Sequence, residues 1–105
     1  MRVIAAKTLK NYGILYPFAN QSLLSWYEDF ESVKRENHND LKESYRNASI
    51  IDSKRVVFNI HGNSYILIVD IEYKFQIAFV IWFGTHKDYD KLDIKKLRYV
   101  KTNKN

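Results

Sequence analysis

The stretch RVVFNIHGNSYILIVDIEYKFQIAFVIWFGTHKDY, residues 55–89, carries the strongest pattern in the chain. Val56, Phe58 and Ile60 alternate with Val57, Asn59 and His61, the period of a strand that buries one face. His-Gly-Asn then marks a reversal, since Gly62 can take a positive φ without steric cost. SYILIVDIEY returns as a strand, EYKFQ turns again, and IAFVIWF supplies another. The later two are nearly continuous apolar runs, so they are expected to lie centrally in an antiparallel meander, covered by helices on one face and partly on the other.

Upstream the period lengthens to that of helices. In KTLKNYGILY, Leu9, Tyr12 and Tyr16 share a helical face until Pro17 ends the segment. NQSLLSWYEDFESVKRE places Leu23, Trp26, Tyr27, Phe30 and Val33 on one stripe, with Asn20 as a candidate N-cap. Asn39 and Asp40 can cap a third helix through LKESYR, and RVIA is a short strand expected to join the sheet. The spacing thus predicts an α+β domain, with N-terminal helices packed on one face of a mainly antiparallel β-sheet. The opposite face is where function is sought. Residues 1–98 form the expected single domain and 99–105 a basic C-terminal tail.

The chain has 105 residues, enough for one core, and eight Tyr, six Phe and two Trp to fill it. It has no cysteine, which leaves no disulfide framework or thiolate metal site and fits a reduced, cytoplasmic setting. IAFVIWF is too short to cross a membrane, and MRVIAAKTLK lacks the apolar stretch of a signal peptide. The net charge is +5, and residues 86–105 hold seven basic groups against three acidic. Such a segment can steer the protein to an anionic partner such as RNA, although a solvated tail accounts for the same charges.

The seam between the last strand and the charged stretch, Gly84 to Asp90, admits two readings. Thr-His-Lys-Asp matches a capping box, with Thr85 and Asp88 closing the first turn of a helix that starts at His86. The same helix start offers backbone N–H groups to a phosphate, and its dipole disfavours a charged imidazole, leaving His86 available as a base. Tyr89 and Asp90 follow at the spacing that shares its helical face. Arg55 and Asn59 are four residues apart on one strand, so they emerge on one face with Val57 and His61, and arginine can clamp a phosphate through two hydrogen bonds. His38, His61 and His86 lack the spacing of a metal site, and no Gly-rich nucleotide loop is present.

Taken in order, MRVI, SLLSWYEDF, RVVFNIHGNSY and FGTHKDYDKLD resemble the HigB family of type II toxins in the RelE superfamily, from Met1 to about Asp93. The resemblance implies a RelE-like fold and an mRNA interferase, an endoribonuclease that cleaves messages on the ribosome. A base deprotonates the ribose 2′-hydroxyl, which attacks the adjacent phosphate, and an acid protonates the leaving oxygen. It implies no metal or cofactor, and a HigA-type helix-turn-helix antitoxin as partner. Carried onto this chain, it makes His86, Tyr89 and Arg55 the catalytic candidates and Asp90 the residue that orients His86. Asn59, His61 and Asn63, with Lys54, Lys87 and Lys91, become the candidate RNA contacts. Ile66 and Ile81 stand where the family commonly has basic residues. The alternative is a catalytically weak module that binds RNA or antitoxin.

Overall fold

A computed structural model describes residues 1–4 and 6–99, apart from the side chains of Ala6 and Lys7. Strand β1 (Arg2–Ile4) leads into α1 (Ala6–Leu15), a 3₁₀ turn (Pro17–Ala19), α2 (Asn20–Ser32) and α3 (His38–Ser44). Then come β2 (Ser49–Ile50), β3 (Arg55–Ile60), β4 (Tyr65–Glu72), β5 (Ile77–Thr85) and the single turn α4 (His86–Tyr89). The sheet has five strands in the order β1-β5-β4-β3-β2. The meander β3-β4-β5 is antiparallel and β1 joins β5 in parallel, so β4 and β5 are interior, as their apolar runs require. This is the α+β arrangement expected, with β2 as an added two-residue edge strand.

One sheet face carries Val56, Phe58, Ile60, Leu67, Val69, Ile71, Ala78, Val80 and Phe83, buried with Leu9, Leu23, Trp26 and Phe30 from α1 and α2. Trp26 stacks on Phe30, and both meet Phe58 edge-on. The other face holds a smaller cluster, Val57, Ile66 and Ile68. The chain after α4 lies over it, contributing Leu92, Ile94 and Leu97, with Tyr89 from α4 itself. In β5, Ile68 opposes Trp82 and Val69 opposes Val80, so Ile81 is an extra, bulged residue. The bulge puts Ile81 and Trp82 together on this second face and returns Phe83 to the main core.

Several local expectations change. Helix α2 ends at Ser32, so Val33 is extended and exposed rather than part of the apolar stripe. The buried residue beyond it is Arg35, whose guanidinium lies over the Phe30 and Tyr45 rings and reaches Asp29. Asn20 closes the 3₁₀ turn, its N–H donating to the Pro17 carbonyl, and does not N-cap α2, whereas Asn37, not Asn39 or Asp40, caps α3 by accepting from the Asp40 N–H. Of the basic tail, only Tyr99 is described, and it meets Phe79 edge-on; residues 100–105 lie outside the described residues.

Candidate functional site

Extended Thr85 starts α4, its Oγ accepting from the Asp88 N–H at 3.1 Å. The His86 N–H donates to the Ser64 carbonyl at 3.1 Å, which ties the helix start to the β3–β4 turn. In that turn both His61 and Gly62 have positive φ, and the glycine takes this conformation freely. The seam and the Gly-Asn turn therefore form one end of the sheet. With His86 and Asp88 satisfied within the chain and α4 only four residues long, neither its amides nor its dipole make a phosphate site.

What the seam presents is side-chain chemistry. The His86 side chain is 47% exposed, and its Nδ1 lies 3.5 Å from the Asp90 carboxylate one turn on. The Tyr89 ring stands edge-on to the imidazole, with centroids 5.9 Å apart. Tyr89 in turn leans on Trp82. The indole occupies the space over Gly84, where a Cβ would fall 2.7 Å from it, so this glycine makes room for a ring within β5 rather than serving a turn. Lys87 and Lys91 are exposed beside these groups.

Arg55 is placed otherwise than its sequence position suggested. It is 5% exposed, and its Nε and Nη2 donate to the two Asp70 oxygens at 2.7 and 2.8 Å. Its Nη1 donates to the Ile94 carbonyl at 2.7 Å. All three guanidinium nitrogens are thus engaged, with no edge left for a phosphate. Arg55 also lies in the row of Asp70 and Phe79, whereas His86 follows the row of Tyr65 and Thr85. Five residues of strand separate those rows, about 16 Å. The charge that looked like a clamp instead fastens the C-terminal segment to the sheet.

The other candidates divide. Asn59 lies on the outer edge of β3 past the end of β2, which pairs only with Val56 and Val57. The positive φ of His61 accompanies a shift toward the helices, where Nδ1 is 3.5 Å from the Ser22 hydroxyl. Both line a cleft of about 400 Å³ with Trp26 and Tyr45. Asn63 borders an adjoining cleft of about 310 Å³ with Arg46 and Asn47. Lys54 is paired with Glu72 at 2.8 Å, far down the sheet from His86. Ile66 is buried and Ile81 half-buried in the second cluster, so the positions commonly basic in the family are here part of a small core. Among the described residues, no group of three His, Cys, Asp or Glu could hold a metal, and no helix is long and apolar enough to cross a membrane.

Sequence reasoning missed Asp70, the partner of Arg55, and the covering segment around Ile94. The signal for Asp70 was present: one carboxylate inside ILIVDIEY, in a strand otherwise buried, calls for a cation opposite it.

A helical layer on a five-stranded mixed sheet is an α+β fold consistent with RelE-like toxins. The family model HigB_toxin, described as the RelE-like toxic component of a toxin-antitoxin system, matches residues 19–92, well over half the chain, and the protein belongs to that family. Family membership implies an antitoxin partner. No curated protein matches the chain.

Proposed function

We propose that this toxin is an endoribonuclease that cleaves messenger RNA during translation on the ribosome, with its reacting groups at the seam. The observation that supports it is the exposed His86, 3.5 Å from Asp90 and flanked by Tyr89, on a surface joined to the Gly-Asn turn. In this reading His86 exchanges the proton of the ribose 2′-hydroxyl, Asp90 orients the imidazole, and Tyr89 transfers the second proton or stacks on a base. The reaction needs no metal. Lys87 and Lys91 supply the charge that stabilises the phosphorane, with Asn63 and His61 holding the flanking nucleotides. Arg55 is a positioning residue here, acting through the segment it holds. The partner is a HigA-type helix-turn-helix antitoxin, and the setting is the cytoplasm.

A second reading is favoured by one observation. Arg55 is paired with Asp70 and positions 66 and 81 hold isoleucine, so the three sheet positions expected to bring cations to His86 bring none, as expected of a module that binds without turnover.

One experiment separates them. The toxin is induced without antitoxin, as wild type and as His86→Ala, and growth and new messenger 5′ ends are followed. New ends with growth arrest, both lost in His86→Ala at equal protein level, are expected. No new ends from folded wild-type protein sinks the nuclease reading in favour of the binding module.

A further inference from the structure

Helix α1 buries Leu9 and half-buries Tyr12, and Tyr16 just past its end is half-buried too, yet the corner with α2 leaves three large apolar side chains in water: Ile14 is 76%, Leu15 69% and Phe18 82% exposed. They lie within five residues, around Pro17, and such a cluster marks an interaction surface. Its charge setting points to the occupant. Residues 1–27 contain Arg2, Lys7 and Lys10 and no carboxylate, the first being Glu28. A second copy would bring two chains of net charge +5 together through like-charged surfaces, whereas an acidic partner is attracted. The corner also adjoins the seam. Tyr16 packs edge-on against Tyr65 at 5.5 Å, Tyr65 opposes Thr85 in the sheet, and His86 comes next.

We propose that the Ile14–Leu15–Phe18 corner is the surface on which the antitoxin docks, taking an amphipathic segment whose apolar face is flanked by carboxylates. A partner anchored there sits at the end of the sheet that also carries His61 and His86, close enough for an extended segment to reach round to the seam. The inference rests on family membership and on this surface, not on the nuclease reading, and its tests read complex formation alone.

The test titrates the full-length antitoxin encoded with this chain into the toxin by calorimetry, at low and at physiological salt. Ile14→Ser/Phe18→Ser is expected to weaken binding by roughly 10- to 100-fold, the loss typical of an exposed aromatic anchor. Lys10→Glu should weaken it several-fold and flatten its salt dependence. Phe75→Ser is the control, since Phe75 is 67% exposed but sits in the β4–β5 turn at the other end of the sheet, and it should leave affinity unchanged. A double variant that keeps its circular dichroism and wild-type affinity overturns the proposal. So does a concentration-dependent toxin dimer that Phe18→Ser dissolves while antitoxin affinity holds. Should the double variant fail to fold, a photo-crosslinking side chain at position 18 or 75 decides: antitoxin captured from 18 alone supports the surface, and capture from 75 alone removes it.

Discussion

Arg55 shows how little a single residue declares about its own duty. Its spacing from Asn59 placed it on a strand face, and that part was legible. Its partner was not, because Asp70 is fifteen positions away and becomes a neighbour only when β3 and β4 pair. A bidentate ion pair with a buried arginine is a hazard when halved: Arg55→Ala leaves the partly exposed Asp70 carboxylate without its cation, and Asp70→Asn leaves a buried guanidinium short of charge. Either is expected to destabilise the fold by about 2–3 kcal/mol in urea titrations. Arg55→Met/Asp70→Leu should recover most of that loss, since apolar side chains of similar size suit a cluster that already holds Val57, Ile66 and Ile68. A double variant as unstable as the single ones would mean that the bond to the Ile94 carbonyl, not the pair, holds the region. His86 differs in that its neighbours are local: Tyr89 and Asp90 follow at one-turn spacing, so their approach to the imidazole could be read without any distant partner.

At the level of elements, the existence and order of strands and helices followed from period alone, while their ends did not. Helix α2 stops at Ser32 although the apolar stripe runs on to Val33, because Arg35 must reach the aromatic pocket of Phe30 and Tyr45, and an extended Val33 turns the chain toward it. Strand β5 hides its bulge for a similar reason: an unbroken apolar run has no alternation to reveal an extra residue. The bulge and Gly84 jointly seat Trp82 under Tyr89, which couples the strand to the seam. Gly84→Ala should therefore push the indole aside, cost about 1–3 kcal/mol and shift tryptophan emission to longer wavelength. An unchanged spectrum with unchanged stability would show that the ring does not depend on this space. The covering segment was the least legible element, for its Leu92, Ile94 and Leu97 sit among charges and follow neither strand nor helix spacing.

The molecule as a whole is tied together by tyrosines whose neutral forms the fold prefers. Burial pushes Tyr73 up to about 12, and burial with a hydrogen bond to Asp29 raises Tyr45 further; burial also raises Tyr12. Unfolded tyrosines ionise near pH 10. Between that value and the folded ones the unfolded chain releases protons that the folded chain retains, so stability is full below about pH 10 and falls as pH rises beyond it. Urea midpoints should stay level to about pH 9 and drop by pH 11, and Tyr73→Phe should flatten part of that drop. A midpoint indifferent to pH across this span would contradict it. The α+β class and the family were readable at this scale because they rest on many residues at once, whereas the division of labour among cations depends on contacts made only after folding. One contact of that kind spans nearly the entire chain: Arg2, Val3 and Ile4 pair with Ile77, Ala78 and Phe79. The first strand to leave a ribosome therefore waits for one of the last, roughly 4–15 s at ~5–20 residues per second. Until then the sheet cannot close, and a toxin whose synthesis is cut short remains an unfinished polypeptide open to proteases.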